Sequence, residues 1–139
     1  MRSSGNTKLR LLRSVPLLSG CTDDELVEIS AVCDEIDFPA GKRLIVEGQD
    51  AVSEFFVLVE GEATVTRGGA EIATLGPGDW AGEIALISDS PRTASVTATT
   101  PVVVLLITRG AFAAVLRQSP SIAQKVLASV GARLAADAV

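Results

Sequence analysis

Residues 54–80 read EFFVLVEGEATVTRGGAEIATLGPGDW, and this stretch decides the fold. Three strand-sized runs, 54–60, 63–67 and 71–75, are rich in β-branched and other apolar residues, and glycines separate them. The pair Gly68-Gly69 lies between the second and third runs. Because glycine tolerates a positive φ at both central positions of a tight turn, this pair predicts a β-hairpin.

Further strand-like runs flank this stretch at 43–47, 93–100 and 102–108. Residues 93–100 alternate small polar with apolar side chains, which is typical of a half-buried strand. Residues 102–107 are apolar throughout, so both faces of that strand should be covered. Short strands at near-regular spacing favour a sandwich or barrel over a parallel α/β sheet.

Both ends of the chain carry helical patterns. Thr22 precedes Glu25 by three residues, which is the pattern of a capping box, and an amphipathic helix is expected over 23–33. Further helices are expected at 7–15, after Gly110 and from Pro120. We therefore predict one mainly β domain with flanking helices over 1–139, with N-terminal helices at about 7–34, a β-roll at about 35–109 and C-terminal helices at about 110–136.

Composition narrows the classes of function. The chain has 139 residues, a formal net charge of −5 and no histidine, and it has two cysteines, Cys21 and Cys33. An acidic chain repels the phosphate backbone, so no direct DNA binding is expected. Without histidine we expect no metal site, and a cupin-like β-barrel enzyme is disfavoured because its site needs histidine and carboxylate ligands. We also expect no cofactor, and we interpret the cysteines as small buried apolar residues. The chain shows no secretory signal and no membrane-spanning run, so we expect a cytoplasmic protein without membrane contact.

One segment interrupts the β pattern. Residues 82–87 read GEIALI and residues 91–94 read PRTA. Gly82 lets the backbone approach a ligand closely, and a helical turn after it offers backbone N–H groups to an anion. The Arg92 guanidinium suits a phosphate, and the Glu83 carboxylate suits a sugar hydroxyl. A small ligand that carries both a phosphate and a sugar would satisfy these groups.

These two motifs resemble the phosphate-binding cassette of the cyclic nucleotide-binding domain family, of the type found in the catabolite activator protein effector domain and in kinase regulatory subunits. Gly48 and the segments 56–63 and 75–80 agree with the same family, and the resemblance covers roughly residues 10–135. It implies an antiparallel β-roll, a jelly-roll-like double-stranded β-helix. It also implies a regulatory sensor, without catalytic residues, whose helices repack when the ligand binds.

The resemblance assigns roles around the sugar and the phosphate. Glu83 would accept a hydrogen bond from the ribose 2′-hydroxyl, and the Gly82 backbone would lie against the sugar. Arg92 would pair with an equatorial phosphate oxygen. The backbone N–H groups of Ala85 and Thr93 would also reach the phosphate.

The family further implies a base pocket and a lid. The residues expected to line the pocket are Val65, Ala73, Leu75 and Ile84. The last helix would cover the base through Val130, Arg133 or Leu134, although core or dimer contacts also explain its apolar residues. Trp80 is interpreted as a packing residue beneath the cassette.

The ligand and the partner stay open at this stage. Thr93 stands where kinase regulatory subunits of the family usually have Ala and bind cyclic AMP, whereas a Thr hydroxyl can bond the guanine amine in cyclic GMP. Some members with Thr prefer cyclic AMP, and we favour it here. The output is expected from an unknown effector protein or from a missing output domain, with a homodimer possible. The alternative functions are a degenerate interaction scaffold of the same fold that binds no nucleotide and, disfavoured by the lack of histidine, a cupin-like β-barrel enzyme.

Overall fold

The computed structural model describes residues 5–48, 54–82 and 93–137, with side chains described as far as residue 132. Its helices and strands follow the order α1 Gly5–Arg13, a 3₁₀ turn Pro16–Leu18, α2 Asp23–Ser30, β1 Asp34–Phe38, β2 Arg43–Ile45, β3 Glu54–Glu60, β4 Ala63–Arg67, β5 Ala70–Leu75, β6 Trp80–Ala81, β7 Ser95–Ala98, β8 Val102–Thr108, α3 Arg109–Gln118 and α4 Pro120–Asp137.

The strands form two four-stranded sheets. Sheet A has the order β1-β8-β3-β6 and sheet B has the order β2-β7-β4-β5. Every strand pairing within them is antiparallel. The mainly antiparallel β fold with flanking helices that the sequence predicts is therefore confirmed.

Apolar side chains fill the space between the two sheets. Sheet A contributes Phe56, Leu58 and Val104, and sheet B contributes Ile45 and Val96. The strand β4 reads ATVTR, so apolar and polar residue types alternate along it. This pattern is typical of a sandwich strand whose inner face is covered and whose outer face contacts water.

A second core lies on the opposite face of sheet A, where the helices pack. Phe55 and Val57 point into it from β3, and Leu12, Leu26 and Phe112 meet them from the helices. Because sheet A is covered on both faces, β3 and β8 are apolar at consecutive positions. The molecule thus has three layers: helices, sheet A and sheet B.

The predicted hairpin joins β4 to β5. Arg67 pairs with Ala70, and the two residues between them, Gly68 and Gly69, have φ of 59° and 81°. Both values lie in the left-handed region that a type I′ turn requires.

The predicted helix over 23–33 begins as expected and ends early. The capping box of Thr22 and Glu25 is present, but α2 ends at Ser30. A turn follows, in which the N–H groups of Val32 and Cys33 donate to Ile29 and Ser30. The chain turns here because Asp34 already pairs with Leu106 of β8.

The thiols are free, with Cys33 buried and Cys21 half-buried. Burial raises the pKa of the Cys33 thiol to about 12, so it stays protonated at neutral pH. In the part of the chain that the structure describes, no helix combines the length and the apolar character needed to cross a bilayer.

Candidate functional site

The inner face of sheet B carries a row of apolar side chains across all four strands. Val96 is directly opposite Ile45 on one side and Val65 on the other, and Val65 is opposite Ala73. Directly opposed residues of antiparallel strands share a face of the sheet. Val96 is 3% exposed, Val65 is half-buried and Ala73 is exposed, so the row runs from the core out to the edge strand β5.

A second row lies beside the first. Leu75 is opposite Ala63, and Ala63 is opposite Ala98. Both alanines are buried, and Leu75 is half-buried against the core between the sheets. The predicted base-pocket residues Val65, Ala73 and Leu75 thus lie on two adjacent rows of one sheet face.

The predicted cassette starts at sheet A and ends at sheet B. Its first residue, Gly82, follows β6 and has φ of 84°, a conformation that L side chains rarely adopt. Its last residues lead directly into β7 at Ser95. Trp80 packs against the core beneath the helices, which agrees with its interpretation as a packing residue.

Four of the residues predicted to contact the ligand, Glu83, Ile84, Ala85 and Arg92, lie outside the described residues. Their roles therefore stay predictions.

Thr93 is described, and it is exposed. Its carbonyl oxygen accepts a hydrogen bond of 3.0 Å from Nε of Arg67, on the neighbouring strand β4. Close by, the N–H of Glu47 donates to Oγ of Ser95 at 2.9 Å, and Oε1 of Glu47 accepts from the N–H of Gly68 at 3.0 Å. Sequence reasoning missed Arg67 and Glu47. Their only sequence signal is that each precedes a glycine, Gly68 or Gly48.

The predicted lid residues lie on α4. Val130 is partly buried against the core between the helices and sheet A, so in this structure it is a packing residue of the helical layer. The side chains of Arg133 and Leu134 lie outside the described part. The structure therefore brings Val130 to the helices and not to the inner face of sheet B.

A buried carboxylate fixes α4 against α2. Glu25 is 9% exposed and accepts hydrogen bonds from Nζ of Lys125 and, at 2.6 Å, from Oγ of Ser121. The N–H of Thr22 adds a third at 2.8 Å. Led by the Lys125 hydrogen bond, these donors lower the pKa of Glu25 to about 2.

A cavity of about 360 Å³ opens between the edge strands β1 and β2. Phe38, Phe56 and Leu106 form its apolar wall, and Lys42 and Arg43 also line it. Ile45 belongs both to this wall and to the row that contains Val96, so the cavity borders the predicted site.

The structure thus combines a two-sheet antiparallel roll with a segment that begins at Gly82 and leads from sheet A to sheet B. The family model for the cyclic nucleotide-binding domain matches residues 35–119, more than half of the chain. The chain belongs to this family, and the resemblance inferred from the cassette is confirmed.

Known relatives agree with this assignment. A cAMP-dependent protein kinase regulatory subunit from Aspergillus niger is 40% identical over 103 residues, which cover 73% of this chain and 25% of the relative. The chain thus spans about a quarter of the length of the curated relatives it matches.

Solved structures show the same fold. The N-terminal domain of a Streptomyces coelicolor transcriptional regulator has a TM-score of 0.84 and 30% identity, and the match covers 91% of this chain and 94% of that one. The regulatory domain of Toxoplasma gondii PKA with cAMP has a TM-score of 0.73 and 26% identity, and the match covers 83% and 46%.

Proposed function

We propose that the domain is a regulatory receptor that binds cyclic AMP in preference to cyclic GMP and carries no catalytic activity. The observation on which this rests is the position of Thr93. Thr93 lies near the end of the predicted cassette, which leads into β7. Val96 of β7 lies in the apolar row of sheet B, next to Val65. A phosphate-binding segment and an apolar surface for a flat base are thereby adjacent. Similarity to cAMP-dependent protein kinase regulatory subunits supports cyclic AMP as the nucleotide.

The proposed binding mode divides the ligand among three sets of groups. Arg92 holds the cyclic phosphate by charge-assisted hydrogen bonds, with the N–H groups of Ala85 and Thr93. Glu83 accepts from the ribose hydroxyl, while Gly82 lets the backbone approach the sugar. The base packs on Val65, Ala73 and Leu75, with Ile84 completing the pocket. Ile45 and Val96 continue the same row into the core between the sheets, where both are buried.

The proposed output is a change in how the C-terminal helices pack. Glu25 joins α4 to α2 through Lys125 and Ser121, and the apolar side chains of Ile122 and Val126 pack α4 into the helical core. We propose that α4 has two arrangements, docked and released. A ligand shifts the balance between them only by the difference in its affinity for the two. We infer that cyclic AMP acts on this balance.

For the partner, we propose only the kind of protein or domain. Since the chain spans about a quarter of the length of its curated relatives, we propose that the receptor acts on an effector protein or an output domain. The net charge of −5 disfavours direct DNA binding. Organisation as one domain over 1–139, the homodimer and the cytoplasmic location stay predictions.

Calorimetric titration of the chain with cyclic AMP and with cyclic GMP tests the proposal. We expect saturable binding of both and the lower Kd for cyclic AMP. Arg92→Ala removes a charge-assisted bond to the phosphate, so its affinity should fall about tenfold or more. Arg117→Ala is the matched control, because Arg117 is an exposed arginine of α3, on the helical side of sheet A.

Two results would contradict the assignments. A lower Kd for cyclic GMP would reverse the proposed preference, and Thr93 would then be read as a guanine contact. Absence of heat with either nucleotide would favour the alternative of a degenerate scaffold.

A further inference from the structure

The start of β7 is held from both sides. In sheet B, β7 lies between β2 and β4, and regular pairing with β4 ends at Thr66 and Ser95. Beyond that point, hydrogen bonds that involve side chains hold the strand. Arg67 donates to the carbonyl oxygen of Thr93, and the N–H of Glu47 donates to Oγ of Ser95. Both contacts extend the ladder toward the cassette after the backbone pairing has stopped.

Glu47 also links the two neighbours of β7 to each other. It follows the end of β2, and its carboxylate accepts from the N–H of Gly68, the first turn residue after β4. The link therefore passes across the start of β7. We call Glu47 and Arg67, with their contacts to Thr93, Ser95 and Gly68, the β7 clamp.

We propose that Glu47 and Arg67 are positioning residues for cyclic-nucleotide binding, because the β7 clamp holds the Thr93 main chain in the orientation that the ligand needs. This inference rests on the proposed function, in which the N–H of Thr93 contacts the phosphate. Neither residue is proposed to touch the ligand. Arg67 acts on the carbonyl of the same residue whose N–H binds.

The physical reason is preorganisation. Thr93 is exposed and precedes the first paired residue of β7, so regular sheet pairing does not fix its backbone. Without the clamp, only a fraction of the molecules would hold Thr93 correctly at any time. The apparent Kd rises in inverse proportion to that fraction.

The test is a set of matched variants titrated with cyclic AMP. Arg67→Met removes the donor to Thr93 and should weaken binding roughly three- to tenfold. Arg67→Lys keeps a charged donor on a long side chain and should recover part of this loss. Arg117→Met is the control. It removes one positive charge from an exposed position of α3, on the helical side of sheet A, and its Kd should stay within about twofold of the wild type.

A second pair of variants tests the other half of the clamp. Glu47→Ala removes the acceptor for Gly68 and should also weaken binding. Glu47→Gln keeps an amide oxygen at that position and should bind almost as well as the wild type. The Glu47 pair decides the question even if an Arg67 variant proves unstable in thermal unfolding.

The outcomes separate this inference from the proposed function. If the wild type binds neither cyclic nucleotide, the proposed function fails. If the wild type binds and both Arg67→Met and Glu47→Ala bind equally well, the clamp is refuted. Equal weakening by Arg117→Met and Arg67→Met would also refute it, since net charge alone would then explain the effect.

Discussion

Glu25 is a buried carboxylate with little contact to water, and hydrogen-bond donors of neighbouring residues replace its hydration. A buried carboxylate is unfavourable unless cations or hydrogen-bond donors replace its hydration. Here a lysine, a hydroxyl and a backbone N–H do so. They favour the charged form, which is why the pKa of Glu25 falls to about 2.

The lowered pKa predicts a pH dependence of stability. An unfolded glutamate titrates near 4.3, so the folded state is stabilised above that pH and loses this contribution as pH falls toward 2. We expect the free energy of unfolding, measured with urea, to fall between pH 5 and pH 2.5. In Glu25→Gln that fall should be smaller, because the titrating group is absent. Glu28→Gln changes an exposed carboxylate of the same helix and should retain the wild-type fall. Identical pH profiles for all three proteins would contradict the account.

Only some of the site could be predicted at the scale of residues. Gly82 and Thr93 belong to a local motif, so the sequence alone points to them. Ile45 and Val65 become neighbours of Val96 only through the strand order of sheet B. Arg67 and Glu47 resemble ordinary surface charges until the pairing places them around β7. Local patterns carry no information on which distant strands pair.

At the scale of elements, apolar patterning predicted most strands and failed at the edge of sheet A. The strand β1 reads DEIDF, and its three acidic residues are the reason that the apolar pattern does not predict it. Among the residues that the structure describes, it pairs only with β8 and is an edge strand of sheet A. Charged side chains on such an edge discourage pairing with other chains, which accounts for a pattern that departs from β propensity. The early end of α2 has a similar origin, because pairing of Asp34 overrides the helical pattern.

The helix α4 offers a prediction at the same scale. Lys125→Met leaves the buried Glu25 without its cation, so α4 should leave its docked position more often. Amide hydrogen exchange in residues 122–132 should become about tenfold faster, while exchange in β3 and β8 stays unchanged. Gln124→Met, at an exposed position of the same helix, is the control and should change neither. Unchanged exchange in α4 of Lys125→Met would show that Glu25 does not hold the helix.

At the scale of the whole molecule, the proposed ligand site and the helices lie on opposite sides of sheet A. Consecutive residues of one strand face the two sides: Phe55 contacts the helical core, and Phe56 contacts the core between the sheets. The short strand β6 does the same, with Trp80 on the helical side and Ala81 on the inner side. Gly82 follows directly. A displacement of the cassette would therefore act on both cores through two adjacent residues.

The layered arrangement could be predicted only in part. The hairpin β4–β5 follows from adjacent runs and a glycine pair, whereas the pairing of β1 with β8 joins segments near opposite ends of the roll. Such pairings depend on which apolar faces meet, and many arrangements share the same local patterns.

Thermal unfolding of the chain with cyclic AMP and, in parallel, with non-cyclic 5′-AMP tests the central claim most directly. A receptor for the cyclic phosphate should gain about 2.7 kcal/mol of stability at a cyclic AMP concentration of 100 times Kd. The same concentration of 5′-AMP should leave the unfolding curve almost unchanged. An unchanged curve with cyclic AMP, or equal shifts with both nucleotides, would contradict the account.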